Sequence, residues 1–196
     1  GRADIAIHSL KDMPSQLPDG FTLAALPERG DPRDVLVSRF TGGVSDLPAG
    51  ARIGTSSPRR ATQLRASRKD IEILPIRGNV DTRMTKALGG DETGYDGAIL
   101  AAAGLDRMGR MGEVAELLNP EQFIPASGQG TLAVETLSSA TGLRELVAAV
   151  DHAETRAASD AERGFLARLG AGCATAAAAY ATLNGDAMTV RGFAAN

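Results

Sequence analysis

One cysteine and a scatter of arginines hold the reactive potential of this sequence. Cys173 is the lone cysteine, seated in Leu169-Gly170-Ala171-Gly172-Cys173. A single thiol makes no internal disulfide, and one thiolate is a poor metal site. Two readings of it stand. Either the glycine-flanked sulfur is open to attack or to covalent loading, or it is a buried small hydrophobe. The strongest local signal is Ile53-Gly54-Thr55-Ser56-Ser57-Pro58-Arg59-Arg60. A strand ending at Gly54-Thr55, serines able to cap, and Pro58 in the first turn make a helix N-terminus with free N–H groups. That is a ready anion site. Positive charge there opposes the helix dipole by roughly a few tenths of a kcal/mol, so an anion should offset it. Two solvated arginines are the bland alternative.

Arginine recurs at other strand ends. Ile76-Arg77-Gly78-Asn79-Val80-Asp81-Thr82-Arg83 reads as strand, turn and helix, and Arg107 follows a further strand. In an open sheet such loops share one crevice. Guanidinium forks suit carboxylates and phosphates, at about 1.5–3 kcal/mol per charged hydrogen bond. Several carboxylates on one ligand is the economical reading, because no Gly-x-x-x-x-Gly-Lys loop is present. The remaining candidate is His8-Ser9-Leu10-Lys11-Asp12-Met13-Pro14, after the first strand. Lys11 and Asp12 are placed for catalysis, although an adjacent Lys-Asp pair is also common on surfaces. His8 and His152 lack metal-ligand spacing with each other or with Cys173, so no metal is assigned.

The elements that must position these residues alternate. Strands are predicted over 4–8, 22–26, 35–38, 52–55, 71–76, 97–101 and 132–135, several nearly all apolar, as for strands covered on both faces. Helical composition marks 59–67, 80–88 and 113–118. This predicts α/β architecture with mainly parallel sheets. The charged, turn-rich segment 27–34 and the small-residue segment 125–130 read as crossings between two lobes, which would form a hinged cleft. A long helical stretch over 143–169, broken near Asp151-His152, leads to Cys173. Beyond it a hairpin is predicted, with Asn184-Gly185 as its turn signal.

Composition bounds the rest. The chain has 196 residues, 43% of them hydrophobic and 23% charged, with no Trp and a net charge of −3. This describes an ordinary globular chain without broad electrostatic affinity for nucleic acid. No apolar run approaches the roughly 20 residues of a bilayer span, and no signal-peptide pattern is present, so a cytoplasmic address and no membrane partner are expected. Gly1-Arg2-Ala3-Asp4 enters a strand directly, and the chain ends within another, which predicts a fragment of a longer protein.

Taken in order, several stretches resemble the porphobilinogen deaminase (hydroxymethylbilane synthase) family. They are Asp4-Ile5-Ala6-Ile7-His8-Ser9-Leu10-Lys11-Asp12-Met13-Pro14, Glu28-Arg29-Gly30-Asp31-Pro32-Arg33-Asp34, the segment 54–60, Arg77-Gly78-Asn79-Val80, Tyr95-Asp96-Gly97-Ala98-Ile99-Leu100-Ala101-Ala102-Ala103-Gly104-Leu105 and Pro125-Ala126-Ser127-Gly128-Gln129-Gly130. The resemblance runs from Ala3 to about Tyr180. It implies two lobes of the type II periplasmic-binding-protein kind and a small α+β C-terminal domain. In this chain these become domain 1 over 1–27 and 130–150, incomplete; domain 2 over 31–125; and domain 3 over 151–196.

By the same resemblance, the activity is that of a transferase of tetrapyrrole (porphyrin and heme) biosynthesis. It joins four porphobilinogen molecules into hydroxymethylbilane. The primer is a dipyrromethane cofactor bound by thioether to Cys173. Asp12 matches the catalytic aspartate, which would stabilise positive charge on pyrrole nitrogens as ammonia leaves. Ser9, Lys11, Thr55, Ser56, Ser57, Arg59, Arg60, Arg77 and Arg83 would hold the cofactor's acetate and propionate groups, with Arg107 and Gln129 on the substrate side. A monomer is implied.

The sequence departs from the family pattern in two ways. The family's N-terminal strand and helix do not precede Gly1, so apolar faces of the first sheet are expected to be exposed. Ala174-Thr175-Ala176-Ala177 also replaces the usual Gln-Val-Pro-Ile-Gly type of segment after the cysteine. Two other readings remain: a non-catalytic two-lobed binder of a small polycarboxylate, and an inactive truncated deaminase.

Overall fold

A computed structural model of the chain describes residues 3–170 and 175–195. It is an α/β protein. The strands are β1 (Ala6–Ser9), β2 (Phe21–Ala25), β3 (Asp34–Ser38), β4 (Arg52–Gly54), β5 (Glu72–Leu74), β6 (Gly97–Ala101), β7 (Glu116–Leu117), β8 (Leu132–Leu137), β9 (Ala177–Asn184) and β10 (Ala187–Ala194). The helices are α1 (Pro58–Ser67), α2 (Val80–Leu88), α3 (Ala102–Arg107), α4 (Thr141–Val147) and α5 (Ala153–Leu169). The chain divides into two compact units, Gly1–Pro32 with Ile124–Ala194 and Arg33–Phe123 with Ala195–Asn196. In this division α5 and the β9–β10 hairpin fall in the first unit.

The second unit is built on a five-stranded sheet of order β5-β4-β6-β3-β7. Its central strands alternate between two cores, as strands covered on both faces must. Val35, Val37, Ala98 and Leu100 pack with Met84 and Leu105 on one side. Leu36, Ile53 and Ile99 pack with Leu64, Ile71 and Phe123 on the other. The first unit holds a three-stranded sheet of order β1-β8-β2 and the separate two-stranded β9–β10 sheet. Its core is centred on Leu10, Leu26 and Ala133. Ile7 and Phe21, on β1 and β2, are 59% and 44% exposed.

Three expectations from sequence need correction. The sheets are not mainly parallel. β1–β8 and β2–β8 are antiparallel, as are β3–β6 and β3–β7; only β4–β5 and β4–β6 are parallel. Parallel pairing occurs where α1 and α2 make the crossovers; β3 reaches β4 through a loop with one 3-10 turn, and antiparallel partners need no crossover helix. The segment 113–118 is not helical either. It forms the end of a 3-10 turn (Met111–Glu113) and then β7. Six residues nucleate a helix poorly, whereas the edge of β3 offers ladder partners: Ala115 N–H donates to Leu36 O and Leu118 N–H to Asp34 O, each at 2.9 Å. In the hairpin, Asn184 pairs with Ala187, so the loop residues are Gly185-Asp186 and not Asn184-Gly185. Gly185 has φ 59°, and no described non-glycine residue has positive φ, which fits a turn with glycine at its first central position.

The long helical stretch does break where expected. α4 ends in a 3-10 turn (Ala148–Val150), and α5 restarts with His152 as its N-cap, Nδ1 accepting the Thr155 N–H. Asp151 fixes the break by accepting the Leu26 N–H at 2.7 Å and pairing with Arg156 at 2.6 Å.

Candidate functional site

In the second unit, β4, β5 and β6 run parallel as neighbours, so their C-terminal ends share one sheet edge. The sequence places Thr55-Ser56-Ser57 and Arg77 at that edge. Ser57 caps α1 by accepting the Arg60 N–H, with Pro58 beginning the helix. Ser56 Oγ donates to Ile76 O at 2.8 Å and accepts the Ile76 N–H at 3.0 Å, clipping the β4–α1 loop to the segment that carries Arg77. Thr55 Oγ1 accepts the Ser57 N–H. Asn79 caps α2, and Arg83 Nε donates to Gly78 O at 2.8 Å, folding its side chain back over the turn. Arg107 lies exposed at the end of α3.

The arginine pair differs from the open cationic site that the sequence suggests. Arg59 and Arg60 are 4% and 7% exposed. Both guanidinium groups converge on the wholly buried carboxylate of Asp34, which opens β3. Arg59 reaches Asp34 Oδ2 at 2.6 Å, while Arg60 reaches Oδ1 through Nε at 2.9 Å and Nη2 at 2.6 Å. Arg60 also donates to Ile99 O on β6, and Arg59 lies over the Phe123 ring. Burial pulls the Arg59 guanidinium below its ordinary pKa; Asp34 opposes that shift and Arg60 adds to it. The carboxylate therefore locks two cations, a helix start and a central strand into one geometry.

In the first unit, Ser9 ends β1, and Lys11 and Asp12 lie on the 3-10 turn Leu10–Asp12. Asp12 is exposed, while Leu10 is driven into the core. Lys11 Nζ donates to Gln129 Oε1 at 3.4 Å. Gln129, expected on the substrate side, is 1% exposed and directs its Nε2 to Pro32 O at 2.7 Å, so it stands as an internal strut. Cys173 lies outside the described residues.

Sequence reasoning overlooked a second buried carboxylate, Glu162 of α5. It takes Arg29 Nη1 at 2.7 Å, the Gly128 N–H at 2.6 Å and the Ala181 N–H at 2.9 Å. Arg29 further donates its Nε to Gln129 O at 2.8 Å and stacks on Tyr180. The signal available was the spacing Thr155, Ala158, Ser159, Glu162, a buried helix face made of small and polar residues.

In the second unit the hydroxyls and N–H groups at a helix N-terminus and the guanidinium groups held in place have the chemistry to take a ligand bearing carboxylates; in the first unit Lys11 brings an ammonium. Residues 1–145 match a family model described as "Porphobilinogen deaminase, dipyromethane cofactor binding domain". The chain belongs to the porphobilinogen deaminase family. Relatives named porphobilinogen deaminase include those of Roseiflexus sp. (strain RS-1), 50% identical over 98% of this chain, and Chromobacterium violaceum, 46% identical over all of it. The chain spans 62% of the length of each of these relatives. Among solved structures, one described as an ABC transporter from Parabacteroides distasonis aligns with a TM-score of 0.45 at 13% identity, covering 74% of this chain and 52% of that one. Ser9, Lys11, Asp12 and every arginine considered above except Arg156 lie inside the family-model match; Cys173 lies beyond it.

Proposed function

We propose that this chain forms part of a porphobilinogen deaminase, which deaminates porphobilinogen and joins four molecules of it into hydroxymethylbilane. Dipyrromethane, attached through Cys173, supplies the primer from which the product grows. The observation that carries this reading is the exposed Asp12 carboxylate beside Lys11, on a turn anchored by buried Leu10. A carboxylate held in a fixed place stabilises positive charge on a pyrrole nitrogen without reorganising. Lys11, Ser9 and the donors of the β4–β5–β6 edge bind acetate and propionate groups, with Arg77, Arg83 and Arg107 supplying cations. Arg59 and Arg60 contribute through the geometry that Asp34 imposes. Three domains, over 1–27 with 130–150, 31–125 and 151–196, a monomeric state and a cytoplasmic address belong to the same proposal. Among the described residues no helix is long and apolar enough to cross a membrane.

The test is the intact mass of the denatured chain beside a C173S control, followed by porphobilinogen consumption for the parent and D12N. An added mass of two deaminated porphobilinogen units, absent from C173S, with turnover lost in D12N, is the expected result. Adduct on the control, or undiminished turnover in D12N, would overturn the assignment of these two residues.

A further inference from the structure

The turn that carries Asp12 is held differently on its two sides. On the N-terminal side the anchor is apolar and backbone-bonded. Leu10 is 1% exposed, its N–H donates to Thr131 O at 3.0 Å, and its O accepts the Met13 N–H at 3.1 Å. Gly128 packs so closely on Leu10 that an added Cβ would stand 2.8 Å from Leu10 Cγ. On the C-terminal side Met13 is extended, Pro14 follows, and no helix or strand forms until β2 begins at Phe21. There the anchor is a cation. Arg163 Nη2 on α5 donates to Pro14 O at 2.8 Å and to Ser15 O at 3.0 Å.

Arg163 is an unusual tether. Its guanidinium is partly buried, and that burial lowers its pKa, while Asp160 one turn earlier raises it. Its hydrogen bonds go to two loop carbonyls and not to a carboxylate. A charged donor holds such carbonyls more firmly than a neutral amide does. The same helix runs on to Leu169, four residues before Cys173 in sequence.

We propose that Arg163 is a positioning residue for Asp12, fixing the loop after the carboxylate to the helix that leads toward Cys173. This rests on the reading of Asp12 as the catalytic aspartate. The role requires both charge and reach, so lysine should replace arginine in part and glutamine should not. Small displacements of a catalytic group lower turnover much more than they lower affinity.

The experiment compares parent, R163Q, R163K and D12N chains, each first weighed intact to establish loading of Cys173. In R163Q, kcat should fall about tenfold or more with KM within about twofold of the parent, and R163K should recover most of the loss. Hydrogen exchange across residues 9–18 should quicken by about fivefold or more in R163Q, with the β9–β10 hairpin unchanged. Parent-like kcat in D12N would refute the reading of Asp12 itself. An inactive D12N beside an R163Q with parental kcat would overturn the positioning role alone. If the parent chain turns over no substrate, exchange decides: unchanged protection over 9–18 in R163Q overturns the proposal. If R163Q loses protection throughout, R163K decides, and an R163K indistinguishable from R163Q overturns it.

Discussion

At the scale of single residues, the two buried carboxylates dominate. Asp34 and Glu162 each collect several charged or main-chain donors, so removing either leaves cations or N–H groups buried without their acceptor. D34A should cost about 3–5 kcal/mol, read as a lower denaturant midpoint, because Arg59 and Arg60 would keep buried charge without its counterion. E162A should cost a similar ~3–5 kcal/mol and show first in hydrogen exchange around Gly128 and Ala181. A surface change such as E92A, on an exposed residue, should stay within about 0.5 kcal/mol. Both carboxylates were in plain view in the sequence, but neither declared its role. A carboxylate that organises arginines looks, in one dimension, like any other charge in a charged segment.

At the scale of elements, the cap of α1 was legible and the pairings were not. The serines and Pro58 predicted the start of α1 because capping depends on residues within one turn, whereas Asn79, read as part of a turn, proves to be the cap of α2. S57A should therefore weaken the chain by about 1 kcal/mol, measured by urea unfolding. The small-residue segment 125–130 is constrained more tightly. Gly130 has φ 89°, and a Cβ there would stand 2.6 Å from Gly30 O, where the Gly30 N–H also donates to Gly130 O. G130A should destabilise by more than about 1 kcal/mol, since it meets both positive φ and main-chain oxygen. G185A should cost less: its φ is 59° but nothing lies within 4 Å of an added Cβ. The 113–118 error belongs at this scale too, because the partner that made it a strand, β3, is about 80 residues away in sequence.

At the scale of the whole molecule, acid is the discriminating condition. Among the described residues, paired guanidinium groups hold four carboxyls below their usual range: Asp96 through Arg52 and Arg39, Asp151 through Arg156, Glu113 through Arg110, and Asp70, at about 2, through Arg68. In each case hydrogen bonding to the arginine is the largest cause. A depressed folded-state pKa means that the unfolded chain binds more protons at low pH. The stability these pairs contribute is therefore complete above about pH 4–5 and is lost as pH falls through the folded values. Stability measured from pH 6 downward should fall below about pH 4, and D96N should flatten that fall while lowering the plateau. A D96N curve that keeps the parent slope would show that Asp96 contributes none of it.

The sequence by itself determined the family, the α/β class, the cap of α1 and the break at Asp151-His152. Those signals are either local, set by sterics within a few residues, or a linear order of motifs. Tertiary structure alone decided the rest: antiparallel pairing around β3 and β8, Asp34 joining Arg59 to Arg60, Gln129 turned inward, and Arg163 grasping the loop after Asp12. Each of these depends on which distant segment supplies the nearest hydrogen-bond partner once water is excluded. A partner 25 residues away, or nearly 150, leaves no periodicity in the chain to read.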